Sequence, residues 1–333
     1  MRILVTGAAG FIGSNFVHYW LERHPDDELV ALDLLTYAGN RASLAALEDR
    51  ITFVEGDIAD LELGRRLFKE HELDVVVNFA AESHNSLAVV DPGRFFRTNV
   101  LGTQTLLEAA REAGALRRFH HVSTCEVYGD LPLHTSDVFT EESPYLPRTP
   151  YNASKAGADH AVRAYHETYG LPVSITNCSN NYGPYQFPEK VIPLFVTNAL
   201  DDQPLPMYAS TQNKREWLHV RDHCRAIELV LGSDKVGETY NVGSGLEASI
   251  EEIADLVLQL TGKPESLKTI VPDRPGHDRR YLLDSSKVRR ELGWAPEISW
   301  EDGLRETVAW YASNRGWWEP LKERAPVQET AWH

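Results

Sequence analysis

Cysteine, methionine and positive charge are all scarce in this 333-residue chain, which has three Cys, two Met and 33 Lys and Arg against 49 Asp and Glu, a formal net charge of −16. Cys125, Cys178 and Cys224 cannot all pair and lack the spacing of a metal-ligand set. The sequence therefore predicts neither a disulfide scaffold nor a metal site, and points to a reducing cytoplasm. The acidic balance argues against nucleic acid or an anionic membrane as partner, since both would be repelled. Any phosphate must be held by a few local cations and backbone amides. No apolar run approaches a membrane span, the opening MRILVTG reads as a strand rather than a signal peptide, and repeats and low-complexity tracts are missing. What is present is a globular composition, 42% hydrophobic and 25% charged, on a chain long enough to bury a sizeable core in two lobes.

Apolar strand-like runs alternate with amphipathic stretches: RILVTG, a helix from about Phe11, LVALD, ITFVEGD, DVVVNFAA, a helix after Asp91, FHHVSTC, a helix after Tyr151, and PVSITNCSN. Repeated β-α-β order of this kind predicts an α/β fold, a Rossmann-type doubly wound parallel sheet. Beyond Asn180 the pattern loosens into polar segments, then helical patterns near Asp222 to Leu231, Ser249 to Leu260 and Trp300 to Ala312. The expected division is a nucleotide-binding domain over 1–177, joined by about 218–244, a smaller C-terminal lobe from 178–217 and 245–325, and a tail over 326–333.

Two motifs carry chemistry. In VTGAAGFIGS, Gly7, Gly10 and Gly13 fall between a strand and a helix, where backbone amides can approach a pyrophosphate, with Phe11 and Ile12 opening the helix. Asp33 closes the second strand, placed to accept from the ribose hydroxyls of an adenosine and to repel a 2′-phosphate, which favours NAD over NADP. Asp57 and Ile58 follow the third strand, where Asp57 either reaches adenine or forms a turn. In TPYNASK, Tyr151 and Lys155 lie four apart and share one helix face. An ammonium beside a phenol favours the phenolate, which makes a base for removing a hydroxyl proton while nicotinamide takes a hydride.

The segments VTGAAGFIGS, DLLTYAGN, NFAAESH, VSTCEVYGD, PYNASK, NCSNNYGPYQFPEKVIPLF, REWLHVRDHCRAI and RPGHDRRYLLDSSK together resemble the nucleoside-diphosphate-glucose 4,6-dehydratases, dTDP-glucose enzymes especially, of the extended short-chain dehydrogenase/reductase superfamily. That resemblance implies NAD-dependent oxidation at C4 of a dTDP- or UDP-hexose, loss of water across C5 and C6, and return of hydride to C6. It implies that Tyr151 is the oxidation base, Lys155 its tuner, Thr124 the group that orients the 4-hydroxyl and Glu126 the base for the C5 proton. Ala80 and Asn99 are expected against the cofactor. Ser83, His84, Asn85, Asn180, Asn181, Lys190, Arg215, Arg274 and His277 are expected against the sugar nucleotide. A homodimer through the helices after Asp91 and Tyr151 is also implied.

The chain departs from this pattern in three places. The family's acid for the departing C6 hydroxyl is an aspartate directly before the glutamate, and here Cys125 stands there. A thiol is a weak donor, so Cys125 is read as a small filler, a weak acid or a nucleophile toward an enone. Asn85 to Ala88 replace a Val-Asp-Arg-Ser stretch, and Ala209-Ser210-Thr211 replaces Gly-Asp-Gly. Other readings therefore stay open: a C4-oxidising relative that yields a 5,6-alkene, an epimer or a decarboxylated sugar, or a non-catalytic NAD-binding regulator.

Overall fold

The computed structural model describes residues 1–273 and 278–324. Its strands are β1 (Arg2–Thr6), β2 (Glu28–Asp33), β3 (Thr52–Glu55), β4 (Val75–Asn78), β5 (Arg118–Thr124), β6 (Val173–Cys178), β7 (Asn180–Tyr182), β8 (Leu205–Tyr208), β9 (Lys214–His219), β10 (Glu238–Val242), β11 (Glu247–Ser249) and β12 (Lys268–Val271). Seven form one sheet in the order β10-β6-β5-β4-β1-β2-β3, and every pairing in it is parallel. The chain reverses its winding between β1 and β4, so the crevice of a doubly wound sheet opens at their carboxyl ends. A β11-β9-β7 sheet and a β12-β8 pair make up the smaller sheets.

Helices α1 (Phe11–Arg23), α2 (Leu61–His71), α3 (Asn85–Val90), α4 (Pro92–Phe95), α5 (Thr103–Ala113), α6 (Pro150–Tyr169), α7 (Val191–Leu200), α8 (Val220–Gly232) and α9 (Ile250–Thr261) follow in chain order. Strand alternation explains how they share the sheet. Ile3 and Val5 of β1 turn toward α1 and α8, meeting Phe16, Trp20 and Ile227, whereas Leu4 turns toward α2 and α5, meeting Leu67, Phe68, Leu106 and Leu107. Both sheet faces are thus covered, which is why the strands read as unbroken apolar runs. In the smaller lobe α7, α9 and Trp300–Ser313 enclose Phe195, Trp217, Ile253 and Tyr311.

The helix expected after Asp91 is broken in two by a π-helical turn, Phe96–Gly102, between α4 and α5. Asn99 sits in that turn. Its amide donates to the Glu82 carbonyl at 3.0 Å and to Ser154 at 2.8 Å, and accepts from the Glu82 amide at 2.8 Å. The wider turn lets one side chain satisfy a loop that no strand covers. Among the described residues no helix is long and apolar enough to cross a membrane.

Candidate active site

The glycine segment folds as its composition demands. Gly7 adopts a φ of +63°, and a Cβ there would come 2.7 Å from the Ala80 backbone nitrogen. A Cβ on Gly13 would lie 2.2 Å from the Gly7 carbonyl oxygen, closer than real Cβ atoms come, so only glycine lets α1 start tight against the β1 end. Asp33 accepts from the Ala9 and Leu35 amides at 2.9 and 2.8 Å. Burial raises its carboxyl above the ordinary value while those amides oppose the rise. A cradle with no room for side chains, ending in a buried carboxylate twenty residues on, fits the pyrophosphate and ribose of NAD. Asp57 caps its own turn by accepting from Ala59 at 2.9 Å and pairs with Arg97 at 2.8 Å.

One cavity of about 360 Å³ runs from this cradle to the end of β5. Gly7, Gly10, Phe11, Ile12, Gly13, Asp33, Asp57, Ile58 and Ala80 line it, and so do Ser83, Thr124, Glu126, Tyr151, Lys155, Asn180, Asn181 and Lys190. Strand β5 ends at Thr124, whose hydroxyl accepts from the Glu126 amide at 3.2 Å and caps the short turn Cys125–Tyr128. That turn sends Thr124 and Glu126 into the cavity. Cys125 is 1% exposed, does not line the cavity, and packs with Val127, Tyr128, Ala156, Tyr281 and Leu283. Burial and the neighbouring Glu126 push its thiol well above the usual range, which makes it neither an acid nor a nucleophile near neutral pH.

Tyr151 is 8% exposed and meets Phe95 edge-on. Burial and Glu126 raise its phenol, and a hydrogen bond with Thr124 works the other way. The Lys155 ammonium donates to the Val122 carbonyl at 2.8 Å and lies 3.3 Å from His121 Nε2, so neither contact runs to Tyr151. Glu126 accepts at 3.3 Å from Asn85, whose amide oxygen accepts in turn from Thr149, the N-cap of α6.

Several expected residues lie outside the cavity wall. Asn99 stands behind it, as described above. His84 caps α3 and pairs with Glu189 at 3.1 Å. Arg215 is buried, gives its guanidinium to the Lys214, Asp278 and Arg279 carbonyls, and stacks over Tyr281. Arg274 and His277 lie outside the described residues. The sequence reading missed Tyr37, Glu82, Cys178, Gln186 and Glu189, which also line the cavity. Burial raises the Glu189 carboxyl, but a bond from His84 and the Lys190 charge bring it below the ordinary value. Glu189 beside Lys190 in PEK was the signal available for it.

The fold and this site define an NAD-binding enzyme of the extended short-chain dehydrogenase/reductase group. The profile of the GDP-mannose 4,6 dehydratase family matches residues 4–307. The chain is 52% identical to a dTDP-glucose 4,6-dehydratase of Xanthomonas campestris pv. campestris, with 94% of each chain covered, and 49% identical to that of Streptomyces niveus, covering 97% of this chain and 96% of the relative. The crystal structure of dTDP-glucose 4,6-dehydratase from Streptomyces venezuelae with NAD bound is 53% identical, with a TM-score of 0.92 over 96% of this chain and 100% of that one. This chain belongs to the dTDP-glucose 4,6-dehydratase family, a family of NAD-binding lyases. UDP-glucose 4-epimerase of Thermotoga maritima has the same fold, with a TM-score of 0.88 at 28% identity over 95% of this chain and all of that one, so the fold alone does not choose the reaction.

Proposed function

We propose that the protein converts dTDP-glucose to the dTDP-4-keto-6-deoxy sugar, with NAD retained and recycled. The observation that carries this reading is the convergence of Thr124, Glu126, Tyr151 and Lys155 on one cavity continuous with the glycine cradle, in a chain about half identical to dTDP-glucose dehydratases. Held by the glycine cradle and Asp33, NAD would supply hydride chemistry at the sugar.

The chain's own residues move the protons. Thr124 holds the 4-hydroxyl and Tyr151, as phenolate, removes its proton. The C4 ketone acidifies the C5 hydrogen, which Glu126 removes as hydroxide leaves C6 and is protonated to water. Cys125 stands where the family has its aspartic acid and is buried in apolar surroundings. We therefore assign the proton for the leaving hydroxyl to Glu126, the carboxyl that has just received one. Glu126 then regains a proton from solvent for C5. Lys190, which reaches the Ser83 carbonyl at 3.1 Å, and Asn180 and Asn181 face the cavity from the smaller lobe and serve the nucleotide. The missing aspartate favours one second reading, in which the reaction stops at the 5,6-alkene and hydride returns to C4.

Substrate carrying deuterium at C4 separates the two. We expect mass spectrometry and NMR to place the deuterium at C6 of a 4-keto-6-deoxy product. Deuterium at C4 of an alkene would establish the second reading, and no turnover of any dTDP-hexose would reject both.

We also infer a homodimer. Val90, Phe96 and Leu101 are 54, 45 and 52% exposed on α3 and the π turn, an apolar face that a second copy would cover. Light scattering is expected to give a dimer mass that Leu101→Glu lowers to a monomer.

A further inference from the structure

Tyr151, Lys155, Asp159 and Arg163 are spaced four apart on α6 and run down one face of that helix. The first two enter the cavity. Asp159 lies one turn deeper and is fully buried. One of its oxygens accepts from Ser123 and Tyr145, both at 2.9 Å. The other receives no hydrogen bond and sits 3.5 Å from His121 Nε2. The same Nε2 is 3.3 Å from the Lys155 ammonium.

The hydrogen-bond chain fixes which ring nitrogen of His121 carries the proton. Thr6 accepts from the Ala80 amide, so it donates to Asn78 Oδ1. The Asn78 amide nitrogen therefore faces Thr103 and His121 Nδ1, at 3.2 and 3.0 Å. Nδ1 accepts, so the neutral ring holds its proton on Nε2, the edge shared by Asp159 and Lys155. His121 cannot then accept from the ammonium. Burial, with the Lys155 charge, keeps the ring neutral.

Burial lowers the Lys155 ammonium, and Asp159 is the carboxylate that raises it. Cys178 faces it from β6 with a thiol pushed up to about 12 by burial, and Tyr151 is raised by burial and Glu126. Ser123 of β5 and Tyr145 of the preceding loop donate to Asp159, and Arg163 on the same helix donates to Tyr145. Burial raises the Asp159 carboxyl while Lys155, these two donors and the Arg163 charge oppose the rise.

We propose that Asp159 is a positioning residue, the counter-charge that holds Lys155 as an ammonium one turn of α6 from Tyr151 in the same cavity, with the His121 imidazole filling the space between carboxylate and ammonium. The inference rests on the reading of Tyr151 as the oxidation base. Without this carboxylate the ammonium loses its stabilising neighbour, the phenolate loses its cation, and Tyr151 works only at higher pH.

The test is Asp159→Asn, which keeps the shape of the side chain and one acceptor. With dTDP-glucose and full-length enzyme, kcat at neutral pH should fall about tenfold or more. KM should stay within about twofold, and the ascending limb of kcat against pH should move up by about one unit. Tyr145→Phe removes a hydrogen bond to the same carboxylate but not its charge, and should leave the limb in place. Phenol ionisation, read as ultraviolet difference absorbance of each protein against its Tyr151→Phe counterpart, should shift upward with Asp159→Asn. That readout needs no turnover, so it still tests Asp159 if Tyr151 proves not to be the base. An unmoved phenol titration in Asp159→Asn would overturn the proposal. Asp159→Ala is the second variant, with the same expected shift, and failure of both variants to fold would assign Asp159 to the core and overturn it equally.

Discussion

Tyr151→Phe is expected to lower kcat by about 10²–10⁴-fold, the range that a positioned acid or base contributes, while NAD stays bound and the fold keeps its melting temperature. The phenol shares the cavity with the Thr124 hydroxyl, and removing its oxygen takes away the acceptor for the 4-hydroxyl proton. The ring itself packs edge-on against Phe95 beside Leu87 and Ala88. Phenylalanine keeps those contacts, so stability should be spared. NAD retention should also be spared, because the glycine cradle and Asp33 lie at the other end of the cavity. Single-turnover kinetics check the assignment: the loss should fall on release of the C4 hydrogen and be equal in kcat and kcat/KM. Wild-type turnover in the variant would remove Tyr151 from the mechanism.

The parts of this molecule written in local pattern were legible in its sequence. The glycine segment, Asp33 and the Tyr151 and Lys155 pair each depend on spacing within one strand, turn or helix, and a 2-residue or 3.6-residue period carries that information. Helix α6 was expected after Tyr151 and begins at Pro150, with Thr149 as its cap. Cys125 was read as a small filler, a weak acid or a nucleophile, and the fold places it off the cavity among apolar side chains because a capped turn, rather than continued strand, follows Thr124.

Long-range contacts were not legible. Helices α2, α3 and α7 went unread, and α3 is too short to show a period. The π turn that interrupts Pro92 to Ala113 has no local signature, since Asn99 is drawn in by Glu82 and Ser154. Arg215 was expected against the sugar nucleotide, and the sequence did not show that its guanidinium also reaches backbone carbonyls from residues more than sixty positions away. Lys155 was expected to tune the phenol, and its ammonium is anchored to β5 through the Val122 carbonyl beside His121, a partner that the sequence did not show. The reason is the same for Arg215 and Lys155: a charged side chain pushed out of water must find partners, and only the tertiary fold decides which.

Glu126→Gln is expected to cost about 10²–10⁴-fold in product formation, and to do so at a different step from Tyr151→Phe. Glutamine keeps the size of the side chain and an oxygen to accept from Asn85, so the arrangement at the end of β5 should persist. The donor is fixed by its own surroundings. Thr149 accepts from the Asn152 amide and so donates to Asn85 Oδ1, which leaves the Asn85 amide nitrogen to face Glu126 at 3.3 Å. That contact holds the carboxylate in place at the end of β5, where a base for the C5 proton is needed. In heavy water the wild-type enzyme should therefore place deuterium at C5 of the product, taken from solvent after Glu126 has given up the original proton. The glutamine variant should still oxidise C4, because Tyr151, Thr124 and Lys155 are untouched, yet exchange no hydrogen at C5 and release no deoxy sugar. Because Cys125 offers no second acid at this position, the loss should not be relieved at low pH. A residual rate that rises as pH falls would mean that another proton donor reaches the C6 hydroxyl, and that Glu126 does not handle both protons alone.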